Sequence, residues 1–86
     1  MKAPTPVTLD VRNLLASGID PYPEIKRCVD TLVPGQAFTV ITPFLPAPLI
    51  ERLKGAGYST KPVHQADGSW QTRFVRPVTG AAESAL

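Results

Sequence analysis

Eighty-six residues make one small domain, which buries only roughly 60% of its unfolded surface and has no room for a second domain or a deep cofactor cleft. Apolar residues at 43% and charged residues at 19% describe a globular chain rather than a disordered one. A net charge of +2 without a clustered basic run speaks against nucleic acid, while a single cysteine, Cys28, rules out an internal disulfide or a zinc framework and fits a reducing cytoplasm.

Met1 to Pro6 contain no apolar h-region, so a signal peptide is not expected, and these residues read as a disordered lead-in. No stretch reaches the ~20 apolar residues needed to span a bilayer. The folded part is expected over residues 7–77. Val7 to Val11 alternates apolar and polar, the pattern of a half-buried strand. Ser17-Gly18 then breaks the chain.

Asp20 is placed to cap the following helix, with Pro21 at its first position, where a missing N–H costs nothing. Glu24 adds a first-turn negative charge that the helix dipole favours. Ile25, Cys28, Val29 and Leu32 recur at helical spacing on one face, and Pro34-Gly35 ends the helix. Gln36 to Thr42 is a β-rich run, and Thr42-Pro43-Phe44-Leu45-Pro46 a stiff loop. Leu49, Ile50 and Leu53 mark a second helix that ends near Gly55-Ala56-Gly57. Tyr58 to Gln65 and Ser69 to Arg76 flank Asp67-Gly68, a strong hairpin signal. Val78 to Leu86 reads as a disordered tail.

The order β-α-β-α-β-β predicts an α/β two-layer sandwich: a four-stranded mixed sheet with two helices on one face, a parallel pair through the crossover and an antiparallel final hairpin. Leu9, Val11, Phe38, Val40, Trp70 and Phe74 are expected to face the helices.

Leu9-Asp10-Val11-Arg12, Asp20-Pro21-Tyr22-Pro23, Leu32-Val33-Pro34-Gly35-Gln36 and Gly57-Tyr58, in that order, resemble the TusA/SirA-like sulfur-carrier superfamily. The likeness runs from about Thr8 to Arg76 and implies a fold like the C-terminal domain of bacterial translation initiation factor 3. Carrier members place a reactive cysteine where this chain has Asp20. A thiol at a helix N-terminus has a lowered pKa and forms a persulfide; aspartate cannot hold a sulfane sulfur. The chain is more similar to a bacterial branch that begins Leu-Asp-Val-Arg, lacks that cysteine, and often has a histidine-containing loop after the second strand. Here that loop, Thr42 to Pro46, has no histidine.

Each candidate residue has two readings. Asp20 is a helix cap or a functional carboxylate, and the cap is the commoner role for aspartate at such a position. Cys28, on the apolar stripe, is a small buried hydrophobe or a relocated reactive thiol. His64, the one histidine, has no second ligand at metal spacing. Ser17, Ser59, Ser69 and Ser84 lack a nucleophile signature. Lys61, Gln71 and Arg73 are expected on the sheet face away from the helices, with Arg12 and Arg76 near its edges. Phe44 and Leu45 either close the end of the core, which a small domain favours, or form a contact hot spot.

These readings converge on a non-enzymatic binding or accessory module without cofactor, metal or catalytic residues. It would contact a protein partner through Asp20, Pro21, Tyr22 and Pro23 together with the Pro43 to Pro48 loop, notably Phe44, and Arg12. A persulfide relay through Cys28 is the alternative and RNA binding a weaker one; oligomeric state is not legible.

Overall fold

The computed structural model describes residues 4–78. Of the ends expected to be disordered, residues 1–3 and 79–86 lie outside the described residues. Within them, the Thr5 carbonyl accepts a hydrogen bond from Gln36 Nε2 at 2.8 Å.

The elements are β1 (Val7–Asp10), α1 (Arg12–Ala16), α2 (Tyr22–Asp30), β2 (Ala37–Thr42), α3 (Ala47–Gly55), β3 (Ser59–His64) and β4 (Trp70–Val75). The four strands form one mixed sheet in the order β1-β2-β4-β3. β1 and β2 run parallel across the α2 crossover, whereas β4 is antiparallel to both β2 and β3. This is the expected two-layer architecture with one addition, the short helix α1.

α1 occupies the segment between the expected first strand and the Ser17-Gly18 break. Asp10 Oδ1 accepts the backbone N–H of Arg12 at 3.0 Å, which bends the chain out of the strand. Val11 therefore leaves β1 one residue early, although its N–H still donates to the Ile41 carbonyl. Gly18, at φ +74°, ends α1: its N–H bonds the Leu15 carbonyl and that of Ile19 bonds Leu14. This double bond is the Schellman arrangement, in which a left-handed residue satisfies the last carbonyls of a helix. α3 ends the same way, with Gly57 at φ +96° and the Tyr58 and Gly57 N–H groups on Leu53 and Lys54.

α2 begins at Tyr22, so Pro23, not Pro21, stands in its first turn. Lys26 bridges Asp30 at 2.8 Å and Arg27 bridges Glu24 at 2.9 Å on the exposed side, pairs worth a few tenths of a kcal/mol each. The inner side carries Ile25, Val29 and, just past the helix, Leu32. These meet Phe38, Val40 and Phe74 from the sheet and Leu53 from α3. Phe38 and Phe74, opposite each other in the β2–β4 register, stack with ring centroids 6.2 Å apart. Each such buried ring contributes roughly 1.5–3 kcal/mol of hydrophobic stabilisation.

Of the residues expected to face the helices, Val11, Phe38, Val40 and Phe74 are fully buried, and Leu9 packs against them partly exposed. Trp70 corrects the expectation. It lies in the same row as Thr72 and Phe74 but is half-buried and stacked on His64 at 4.6 Å, outside the core cluster. Among the described residues, no element covers the opposite sheet face. Gln71, Arg73 and Lys61 are exposed there, with Lys61 directly across from Arg73.

Candidate functional site

Because β1 and β2 are parallel, the segments that follow them both emerge at the same end of the sheet, where open α/β sheets commonly bind ligands. The chain arriving from α1 turns through Asp20 and Pro21 into α2; the chain leaving β2 turns through Pro43 to Pro46 into α3. Between them lies an open cleft of about 320 Å³. Its floor is apolar, formed by Val11, Leu15, Ile25 and Leu49, with Thr42 at its end. Pro21 and Tyr22 form one wall, and Phe44, Pro46 and Pro48 the other. The volume is at the lower bound of ordinary ligand pockets, and the lining is of the usual apolar kind.

Local bonding holds both walls. Asp20 Oδ1 accepts the Tyr22 backbone N–H at 3.0 Å, satisfying one of the donors left unpaired at the start of α2. In the second loop, Thr42 Oγ1 donates to the Phe44 carbonyl. Pro46, at φ −83° and ψ +66° with the Ala47 N–H on the Leu45 carbonyl at 2.9 Å, is the centre of an inverse γ-turn. Pro46 is buried, while Phe44 and Leu45 project outward at 52% and 43% exposure. The core-closure reading of Phe44 and Leu45 is therefore wrong. Proline fills the end of the core and lifts both apolar side chains toward solvent.

Among the described residues, the charged ones lining the cleft are Asp20 and Arg52. Arg52, from α3, donates to the Tyr22 hydroxyl, and its guanidinium carbon lies 5.2 Å from the Tyr22 ring centroid. Sequence reading missed Arg52. Its spacing from Leu49, three residues earlier, places it on the flank of the apolar stripe, an ordinary position for an exposed arginine that carries no signal of the contact with Tyr22.

Asp20, Pro21, Tyr22 and Phe44 thus come together. Pro23 is exposed and lies outside the lining, as does Arg12. Arg12 instead forms a forked pair with Asp10, at 2.7 Å for the closest contact, and reaches Asp67 of the β3–β4 turn at 3.5 Å. Hydrogen bonds from Arg12 hold the Asp10 carboxyl below the usual carboxylate range, and Asp10 in turn raises Arg12. Arg12 ties the end of β1 to the hairpin.

Cys28 is half-buried against the core on α2, away from the cleft. Burial first, and the Glu24 charge second, push its thiol up, the opposite of what a nucleophilic thiolate requires. Among the described residues, no group of three or more His, Cys, Asp and Glu side chains could hold a metal ion. Among them, too, no helix is long and apolar enough to cross a membrane.

Residues 8–76 match the family described as "Uncharacterized conserved protein (DUF2249)". No curated protein and no solved structure matches the chain.

Proposed function

We propose that this chain, which belongs to the DUF2249 family, is a small non-enzymatic binding module that holds a partner protein at the cleft between the Asp20–Pro23 turn and the Pro43–Pro48 loop. The observation that carries this reading is the exposure of Phe44 beside Tyr22 on the walls of one apolar cleft. Large apolar side chains held outward by rigid turns expose surface that solvent alone disfavours, and aromatic anchors at a pocket are the usual centres of protein contacts. Prolines on both walls lower the conformational entropy lost on binding.

The scaffold itself we read as sulfur-carrier-like. That view is supported by the motif order and by Asp20, which stands at the start of α2 where a carrier would have its cysteine. With aspartate there, the position caps the helix and shapes the cleft rim, and no thiol faces the cleft.

The test is capture of binding proteins by the immobilised full chain from extract of the source cells, with Tyr22→Ala and Phe44→Ala alongside and bound proteins quantified by mass spectrometry. Proteins retained by the wild type are expected to fall at least tenfold with either variant, the loss typical of a hot-spot residue. Equal retention by folded variants would remove the cleft as the contact surface.

A further inference from the structure

We infer that the partner segment seated in the cleft carries an acidic side chain beside an aromatic or aliphatic one, the acid meeting Arg52 and the apolar side chain filling the space beside Phe44. This rests on the protein-binding reading above and gives the partner its chemistry.

Charge complementarity carries it. Among the described residues, Arg52 is the one cation lining the cleft and no carboxylate pairs with it. Arg12, Lys26 and Arg27 each bridge one, and Lys54, Lys61, Arg73 and Arg76, which bridge none among the described residues, lie outside the cleft lining. Asp20, the other charged lining residue, does not answer Arg52, because Tyr22 stands between them. Asp20 takes the Tyr22 backbone N–H, and Arg52 donates to the hydroxyl at the far end of the same side chain.

Arg52 is also already positioned. One of its five N–H groups is committed to Tyr22, and the guanidinium is held by the ring, so an incoming carboxylate meets a fixed donor fork. Charge-assisted bonds from such a fork to a carboxylate are among the stronger side-chain contacts. A basic or neutral segment would leave that guanidinium partly desolvated with no acceptor, which disfavours it. The apolar floor of Val11, Leu15, Ile25 and Leu49 sets the second requirement, an apolar side chain next to the acid.

The experiment selects peptides from a random library displayed on phage against the immobilised full chain. Parallel selections use Arg52→Glu and Phe44→Ala. The wild type is expected to enrich peptides with Asp or Glu within two positions of an aromatic or aliphatic residue. A selected peptide made synthetically, with its acid changed to the amide, should bind on the order of tenfold more weakly, as for a lost charged hydrogen bond. The Arg52→Glu variant should enrich Lys or Arg instead, a gain that misfolding cannot produce. Peptides that need Phe44 but keep the same sequence preference on Arg52→Glu would overturn this inference and leave the binding module standing. Peptides indifferent to Phe44→Ala would overturn the cleft reading itself, and a library that yields no binder would overturn both.

Discussion

Asp20 accepts the backbone N–H of Tyr22 at 3.0 Å, although it lies one residue outside the N-cap of α2, which is Pro21. Pro21 has no side-chain acceptor, so the cap function passes back to the carboxylate before it. Asp20→Ala should lower unfolding free energy by about 1 kcal/mol, and Asp20→Asn, which keeps the acceptor, by much less. Urea denaturation of both variants checks this. Equal losses for Ala and Asn would mean that the charge, not the acceptor, is what the helix uses.

How the cleft forms was half legible in the sequence. Asp20, Pro21 and the proline-flanked Phe44 announce two turns before two helices, and parallel pairing of β1 with β2 follows from the crossover. The short α1 is not legible, because Val11 completes the alternating pattern of a strand and Leu14 and Leu15, within a helix of five residues, set no helical period. Ser17-Gly18-Ile19 was the available signal, since a glycine followed by an apolar residue fits a helix end as well as a loop. Arg52 was invisible for a different reason. Its role depends on the distance between α2 and α3, thirty residues apart from Tyr22 in the chain, and no local pattern encodes that.

Thr72 is fully buried on β4 between Val40 and Pro62, and its hydroxyl has no partner among the described residues. A buried unsatisfied hydroxyl costs about 1–3 kcal/mol. Replacing it by a methyl of nearly the same shape, in Thr72→Val, should stabilise the domain by about 1 kcal/mol, read from the urea midpoint at unchanged slope. A destabilised variant would show that the hydroxyl is satisfied in solution, and the prediction would fail.

Asp10 and Asp67 both have lowered pKa values, from Arg12 hydrogen bonds in the first case and from the Ser69 hydroxyl and N–H in the second. A carboxyl whose folded pKa is depressed contributes stability that is present above its unfolded pKa and lost as pH falls through the folded value. Stability should therefore decline through and below the ordinary carboxylate range. In an Asp10→Asn, Asp67→Asn double variant the curve should be flatter there. Both side chains are exposed, so the effect should also shrink in molar salt. A double variant with the wild-type acid profile would assign acid sensitivity to other groups.

The proposed sulfur-carrier-like reading of the scaffold, with Asp20 at the carrier position, gives the last prediction. In the wild type, burial raises the Cys28 pKa, so its reaction with a disulfide reagent should be slow at neutral pH and accelerate only above the range of an ordinary thiol. Asp20→Cys in a Cys28→Ser background moves the single thiol to the start of α2, where the Tyr22 N–H now points at Asp20. A helix N-terminus favours the anionic form, so this thiol should react faster at neutral pH, despite the loss of the native cap. Incubation with a cysteine desulfurase and cysteine, followed by intact mass, separates scaffold from chemistry. The expected result is no sulfur on the wild type and one sulfur atom gained by the relocated thiol. A sulfur gained by the wild type and lost in Cys28→Ser would instead make Cys28 the relay residue, and the binding-module reading would give way to sulfur transfer.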